Sequence, residues 1–364
     1  MVSIKNEIVS AIYPAYDEES YDLGNPFIEA IPKISNLHWS IITSYPNYLK
    51  KDNILPAEIK AHEVQNLHRL FVGLSFQKDL FAHLTLIIET AYFKRNPLFP
   101  EFREVLAKNN ILDQTDLNGS LGRLIGVKGS GKSSTVLKIL SYYPKVIKHI
   151  CYREIQFYVH QVVWIKLDAP PDGNVQGLYF NLLKYIDNLL STNYCAKLYR
   201  QSLSKEDLHH TVLRVLFFHG LGTLVIDNIQ YFSLGRLDEK IQVANFINEL
   251  CKLGMTVLLI GNETAHGLLF EHLLSSKIAF DLSWTKMQFD EEWEKFIRNL
   301  LKYQWTDQYT DYSIDLSLTF YEESGGILDT AKKLYQLCQY KAIELGEKVI
   351  SPNLVIRVSH ELIK

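Results

Sequence analysis

Between Gly126 and Ser133 the chain reads Gly-Val-Lys-Gly-Ser-Gly-Lys-Ser, a glycine-framed loop closed by a lysine and a hydroxyl residue. That spacing, G-x-x-x-x-G-K-[ST], is a phosphate cradle, the P-loop. Its glycines let the backbone turn tightly and aim N–H groups inward at phosphate oxygens. Gly126, Lys128, Gly129, Ser130 and Gly131 form the cradle. Lys132 supplies a point charge for the β- and γ-phosphates, and Ser133, with Ser134 beside it, offers a hydroxyl to Mg²⁺. The ligand expected from these residues is a nucleoside triphosphate with its magnesium, most simply ATP and Mg²⁺.

The chemistry requires a strand before the loop and a helix after it. Leu124-Ile125 and Val127 read as the end of a buried strand, and Thr135–Leu140 as the start of a helix whose dipole favours an anion. Two more residues of interest end apolar strands downstream. Asp227 follows Leu224-Val225-Ile226, the Walker B arrangement, in which the carboxylate holds Mg²⁺; an N-cap at a strand–helix junction is the plainer role. The next position is Asn228. An amide cannot accept a proton at neutral pH, although its oxygen can orient water. Loss of a general base costs roughly 10²–10⁴-fold in rate. Asn262 follows Thr256–Ile260, where it can sense the γ-phosphate (the sensor-one role), cap a helix starting near Thr264, or do both.

These strands belong to a repeating pattern. From about Gly119, β-branched runs (121–127, 162–167, 223–226, 256–260) alternate with amphipathic helices at 175–190, 204–218 and about 241–251. That rhythm predicts an α/β fold with a parallel sheet sandwiched by helices and its ligand at the carboxyl ends of the strands. Residues 60–94 and 101–108 read as helical, and residues 25–32, bracketed by prolines, as an extended segment with a short turn anchored by Phe27 and Ile31. Past Lys286 the strands stop and helices follow at 291–301, 328–345 and 352–363. The expected divisions are a mostly helical N-terminal region (1–115), a P-loop core (116–285) and a C-terminal helical lid (286–364). The net charge of −3 means that any nucleic-acid site must be a local basic surface. Four widely spaced cysteines give no zinc or disulfide framework and suit a reducing, cytoplasmic setting. Charges within residues 67–93 argue against a membrane span, and Asn6 and Glu7 against a signal peptide.

Beyond the P-loop, several segments together resemble one family. The run Gln161-Val162-Val163-Trp164-Ile165-Lys166-Leu167-Asp168, then Pro171-Asp172-Gly173, Gly177-Leu178, Asn181, Asp187 and Thr192-Asn193-Tyr194 closely resemble TnsC. TnsC is the AAA+ regulator of Tn-seven-like transposons, related to TniB and MuB. Asn25–Pro32 is similar to that family's opening segment, and residues 225–230 and 259–261 to its Walker B and sensor-one strands. The resemblance implies an AAA+ P-loop ATPase that assembles as rings or helical filaments around double-stranded DNA. It implies recruitment by a target selector, TniQ or TnsD, sometimes with a CRISPR complex, and engagement of the transposase TnsB with TnsA. It places DNA contacts at Asn174, Gln176, Thr192 and Lys197, and catalytic roles at Lys132, Asp227, Asn228 and Asn262.

Two departures bear on turnover. Asn228 stands where the family carries a glutamate, and Leu273–Lys277 holds no arginine where a neighbour-reaching finger is expected. Lys277 offers charge without the guanidinium fork, and Arg298 is a distant substitute. An arginine finger contributes on the order of 10³–10⁵ in rate. The expectation is a slow ATPase that uses ATP mainly to assemble. Two alternatives keep the same P-loop: a non-hydrolysing adaptor scaffold, and an initiator-type AAA+ ATPase outside transposition.

Overall fold

The computed structural model describes residues 8–14, 24–34, 39, 55–107, 111–112, 117–201, 204–265 and 277–362. Two compact units divide the chain. The first comprises Met1–Ile34, Leu80–Gly126 and Ser133–Ser283; the second comprises Ser35–Asp79, Val127–Lys132 and Trp284–Lys364.

The first unit is built on strands β1 (Ile8–Ser10), β2 (Leu121–Gly126), β3 (Val146–Tyr152), β4 (Ile155–Val162), β5 (Trp164–Asp168), β6 (Thr223–Asp227), β7 (Thr256–Gly261) and β8 (Ile278–Trp284). The main sheet has the order β5-β6-β7-β2-β8, with β5, β6, β7 and β2 parallel. Every residue of β6 and β7 is buried, which is why these strands read as unbroken apolar runs rather than alternating ones. On β2, Gly122 leaves room for the Phe280 ring of β8, which a Cβ there would meet at 2.4 Å.

Helix Val175–Leu190, the predicted amphipathic helix, buries Leu178, Leu182, Ile186 and Leu189 and ends at Ser191 in the left-handed region. Helix Lys205–Phe218 opens on Ser204, whose hydroxyl accepts from the Asp207 amide and caps it.

Several expectations need correction. Pro26–Glu29 is a one-turn helix, not an extended segment: Pro26 suits the first helical position and the Asn25 side chain accepts from Phe27 N. Phe27 and Ile31 are buried anchors as expected. Residues 60–94 are two helices, Ala57–Gln65 and Ser75–Thr90, with a 3₁₀ turn at Asn66–Arg69 and an extended link through buried Leu70, Val72 and Leu74. The strand expected at 162–167 begins at Trp164, because Val162 closes β4. A second sheet, β1-β3-β4, was not foreseen, nor was β8.

The second unit is helical. Glu291–Leu301, Ile314–Ser324, Leu328–Leu345 and Pro352–Leu362 share a core with residues 64–74 that includes Leu67, Trp293, Phe320, Leu334 and Tyr335. Polar ties fix the N-terminal segment there: Tyr303 Oη donates to Glu63 O (2.7 Å) and Lys332 Nζ to Leu70 O (2.7 Å).

Candidate nucleotide site

The loop Val127–Gly131 joins β2 to helix Lys132–Leu140, so the required strand, loop and helix are present. Gly129 and Gly131 have φ of 84° and 90°, a region open to glycine and costly for other residues. Ser130 N donates to Val127 O (3.2 Å), tightening the turn. Lys132 is buried and curls back on the loop: its Nζ donates to Val127 O (2.7 Å) and lies 3.4 Å from Ser130 Oγ. Lys128 and Ser134 are exposed, Ser133 partly buried. Within the helical unit the loop has a second anchor. Asp329 N, at the start of helix Leu328–Leu345, donates to Gly129 O (3.0 Å), and Ile327 lies where a Cβ on Gly129 would be. Phe76, Met287, Gly326 and Ile327 line a narrow crevice beside Val127 and Ser130.

The carboxyl ends of the parallel strands carry the rest. β7 separates β6 from β2, so Asp227, at the end of β6, lies two strands, roughly 10 Å, from the end of β2. Asp227 is buried, and both carboxylate oxygens are engaged: Oδ1 accepts from Asn228 N (2.9 Å), and Oδ2 is ion-paired with Lys166 Nζ (2.8 Å). Lys166 also lies 3.9 Å from Asp168 Oδ1, the register partner of Asp227 on β5. Asn228 sits in the left-handed region (φ 56°, ψ 38°). Its Nδ2 donates to Asp168 Oδ1 (3.2 Å), and its Oδ1 accepts from Gln230 Nε2 (3.2 Å). Gln230 Oε1 in turn lies 3.4 Å from Asn262 N.

Residues 116–269 match the family model of an AAA domain. The fold is the AAA+ P-loop fold, a parallel sheet flanked by helices with a helical C-terminal region. The chain is similar to Cdc6p from Pyrobaculum aerophilum (15% identity, covering 88% of this chain and 70% of that one, TM-score 0.47). It is also similar to the Aeropyrum pernix Orc1 protein solved in complex with DNA (12%, 75% and 69%, 0.43) and to the Thermotoga maritima RuvB Holliday junction branch migration motor (15%, 72% and 67%, 0.40). No curated protein matches it.

Within residues 116–269 the donors that would be offered to a divalent ion are the Ser133 hydroxyl and the Asp227 carboxylate. Few oxygen ligands of this kind, with positions left for phosphate and water, suit Mg²⁺. Among the described residues no group of three or more His, Cys, Asp or Glu could hold a metal alone. Asn262 does serve as a cap: its Oδ1 accepts from Thr264 N (3.1 Å) and Thr264 Oγ1 (2.6 Å). The helix expected to begin near Thr264 is a 3₁₀ turn, Glu263–Ala265, as far as the described residues run.

Lys166 and Gln230 are the residues sequence reading missed. Lys166 had a signal, being the one charge inside an apolar strand. Gln230 had none, since its partners come from two different strand ends.

Other predicted residues are placed as follows. Asn174 caps helix Val175–Leu190 by accepting from Gln176 N (2.8 Å), and Thr192 Oγ1 donates to Asp187 (2.7 Å). Lys197 is exposed. Asn174 and Gln176 therefore stand at one end of a 16-residue helix, with Thr192 and Lys197 beyond the other, roughly 24 Å apart. Gly173 (φ 71°) is required by close approach to Tyr231 O and Gly235 N. Asp168, Pro170, Asn181, Lys184, Asn228 and Tyr231 line a cavity of about 510 Å³. Residues 273–276 lie outside the described residues. Arg298 is engaged in its own unit, 3.3 Å from Glu294 and stacked 3.5 Å over Tyr312, which argues against its use as a finger. No helix among the described residues is long and apolar enough to cross a membrane.

Proposed function

We propose that this protein is an ATP-switched, DNA-binding regulator of transposition of the TnsC kind, with slow hydrolysis. The observation that carries the reading is a split in the AAA domain's residues. Lys132, Ser133 and Asp227 are the residue types that hold MgATP at a P-loop, while the hydrolysis position holds Asn228, whose amide is already committed to Asp168 and Gln230. ATP then serves assembly more than work. The TnsC-like segments around residues 161–194 and 25–32 supply the transposition context: a target selector (TniQ or TnsD) upstream and the transposase TnsB with TnsA downstream. Asn174, Gln176, Thr192 and Lys197 are the proposed DNA contacts, reaching the duplex at two separate places along its backbone.

The test is assembly. Size-exclusion chromatography and electron microscopy with ATP, Mg²⁺ and duplex DNA should give rings or filaments that Lys132→Ala does not form. Monomers under those conditions would refute the proposal. Pull-down with TnsB and TniQ homologues separates transposition from an initiator role. The same Asn228 network favours a second reading, a scaffold that binds ATP without splitting it. DNA-stimulated phosphate release lost in Lys132→Ala excludes that scaffold.

A further inference from the structure

Lys166 lies at the ion pair that any metal at Asp227 must disturb. It is the single charged residue between Val162 and Leu167, in the apolar run that precedes Asp168 at the end of β5. Its side chain is 14% exposed and that of Asp227 7%, so this ion pair is poorly solvated and its attraction is little screened. Two carboxylates flank the ammonium. Asp227 Oδ2 is at 2.8 Å, and Asp168 Oδ1, on a side chain 65% exposed, is at 3.9 Å. The strand register puts those carboxylates side by side, Asp168 opposite Asp227. Lys166 and Asp168, two apart on one strand, point to the same face.

We infer that Lys166 is a two-position counter-ion: it neutralises Asp227 when no metal is present and passes to Asp168 when a divalent cation takes Asp227. The inference rests on the reading of Asp227 as the metal-holding carboxylate. With Lys166 on Asp227, the site carries little net charge, and a bare cation meets an ammonium instead of a free carboxylate. A cation arriving with nucleotide phosphates brings its own counter-charge and can displace the ammonium, for which Asp168 is the nearby seat. Metal binding is thereby made contingent on nucleotide. The transfer also has an address. Asp168 already accepts from Asn228 Nδ2 and ends β5, just before the loop 169–174 that leads to Asn174 and the first turn of helix Val175–Leu190, which holds Gln176. Occupancy of the metal position is thus felt at Asn228 and at the loop, through one lysine.

The experiment is a Mg²⁺ titration of binding, read by the fluorescence of an ATP analogue on the full chain, with no turnover required. Lys166→Met, similar in length but neutral, should lower the half-saturating Mg²⁺ concentration about tenfold, and Lys166→Arg should stay near wild type. Asp168→Asn should raise it, because the displaced ammonium loses its second seat. In the Lys166→Met background Asp168→Asn should have almost no effect, since it acts through the lysine; a purely local loss of negative charge would give the same increment in both backgrounds. Thermal melts identify any variant that has lost its fold, and the exposed Asp168 supplies the arm that does not disturb the core. An unchanged half-point in folded Lys166→Met, or additive effects of the two substitutions, would overturn the inference. If instead Asp227→Asn leaves the Mg²⁺ dependence untouched, the reading of Asp227 itself has failed.

Discussion

Asn228 looks in the sequence like a loss, an amide where a carboxylate is expected. Its backbone gives it a positive reason. At φ 56° it occupies a region that asparagine tolerates well and glutamate does not, at a cost of roughly 1–2 kcal/mol. A carboxylate at this position would also stand near Asp168 and Asp227. Asn228→Glu should therefore lower stability by about 1–2 kcal/mol while raising ATP turnover, and Asn228→Gly should keep the fold and leave turnover slow. Melting curves and phosphate release check the two halves separately. A stabilised Asn228→Glu would show that the left-handed backbone does not govern the choice. The contrast with Lys132 and Asp227 shows what sequence can carry. A P-loop is one continuous segment, and Asp227 closes an apolar run, so spacing alone reveals both. The Lys166 pair depends on register between strands about 60 residues apart, as in Asp168 with Asp227, and the Gln230 bridge on the ends of β6 and β7, 32 residues apart, and no local pattern encodes either.

The elements that were legible are those whose periodicity is uninterrupted. Helix Val175–Leu190 and strands β6 and β7 carry their burial in plain sequence order. The β3–β4 hairpin does not. It turns at Arg153 (φ 52°) and Glu154 without a glycine or asparagine signal, and its exposed positions include Ile150, Ile155 and Tyr158, which blur the apolar–polar alternation. On β3 itself lies the buried His149. Its ring fits one tautomer, Nε2–H donating to Gln161 Oε1 (2.9 Å) and Nδ1 accepting from Tyr13 Oη (2.6 Å). Burial holds its pKa down to about 4, and that of His219 likewise to about 4. Because the folded values lie below the ordinary histidine value of about 6.5, the fold favours the neutral rings. Their contribution is complete above pH 6.5 and is lost as pH falls from 6.5 toward 4, by up to about 3 kcal/mol for each. Urea midpoints at pH 7, 5.5 and 4.5 should fall steeply in the wild type and less steeply in His149→Gln; parallel curves would assign the acid loss elsewhere. At the P-loop, Gly129→Ala places a Cβ 2.8 Å from Ile327 Cγ2 on a backbone at φ 84°. It should weaken ATP binding at least tenfold, measurable with a fluorescent analogue, while leaving the β3–β4 elements and the acid profile unchanged.

For the whole molecule, charge decides how DNA can be held. A net charge of −3 gives the chain no general attraction for a polyanion. Of the proposed contacts only Lys197 is cationic, and Asn174 and Thr192 already serve helix Val175–Leu190 at its two ends. If these are the contacts, one protomer would neutralise very few phosphates and would hold DNA weakly. Repeating those few contacts along an assembly would multiply them without a new contact, so the proposed function predicts that ATP-driven self-association is the source of affinity. Each phosphate contact contributes a salt slope of about −0.9, so log K for the assembly should fall with log salt in proportion to the number of protomers bound. Lys197→Ala should reduce that slope by about 0.9 per protomer, and Lys132→Ala should abolish tight binding altogether although it touches no DNA. Fluorescence anisotropy against salt, on duplexes of increasing length, measures both. Tight binding by a monomer on a short duplex, with a slope that does not grow with length, would mean that DNA is gripped by a surface of the single chain and that ATP is not an assembly switch.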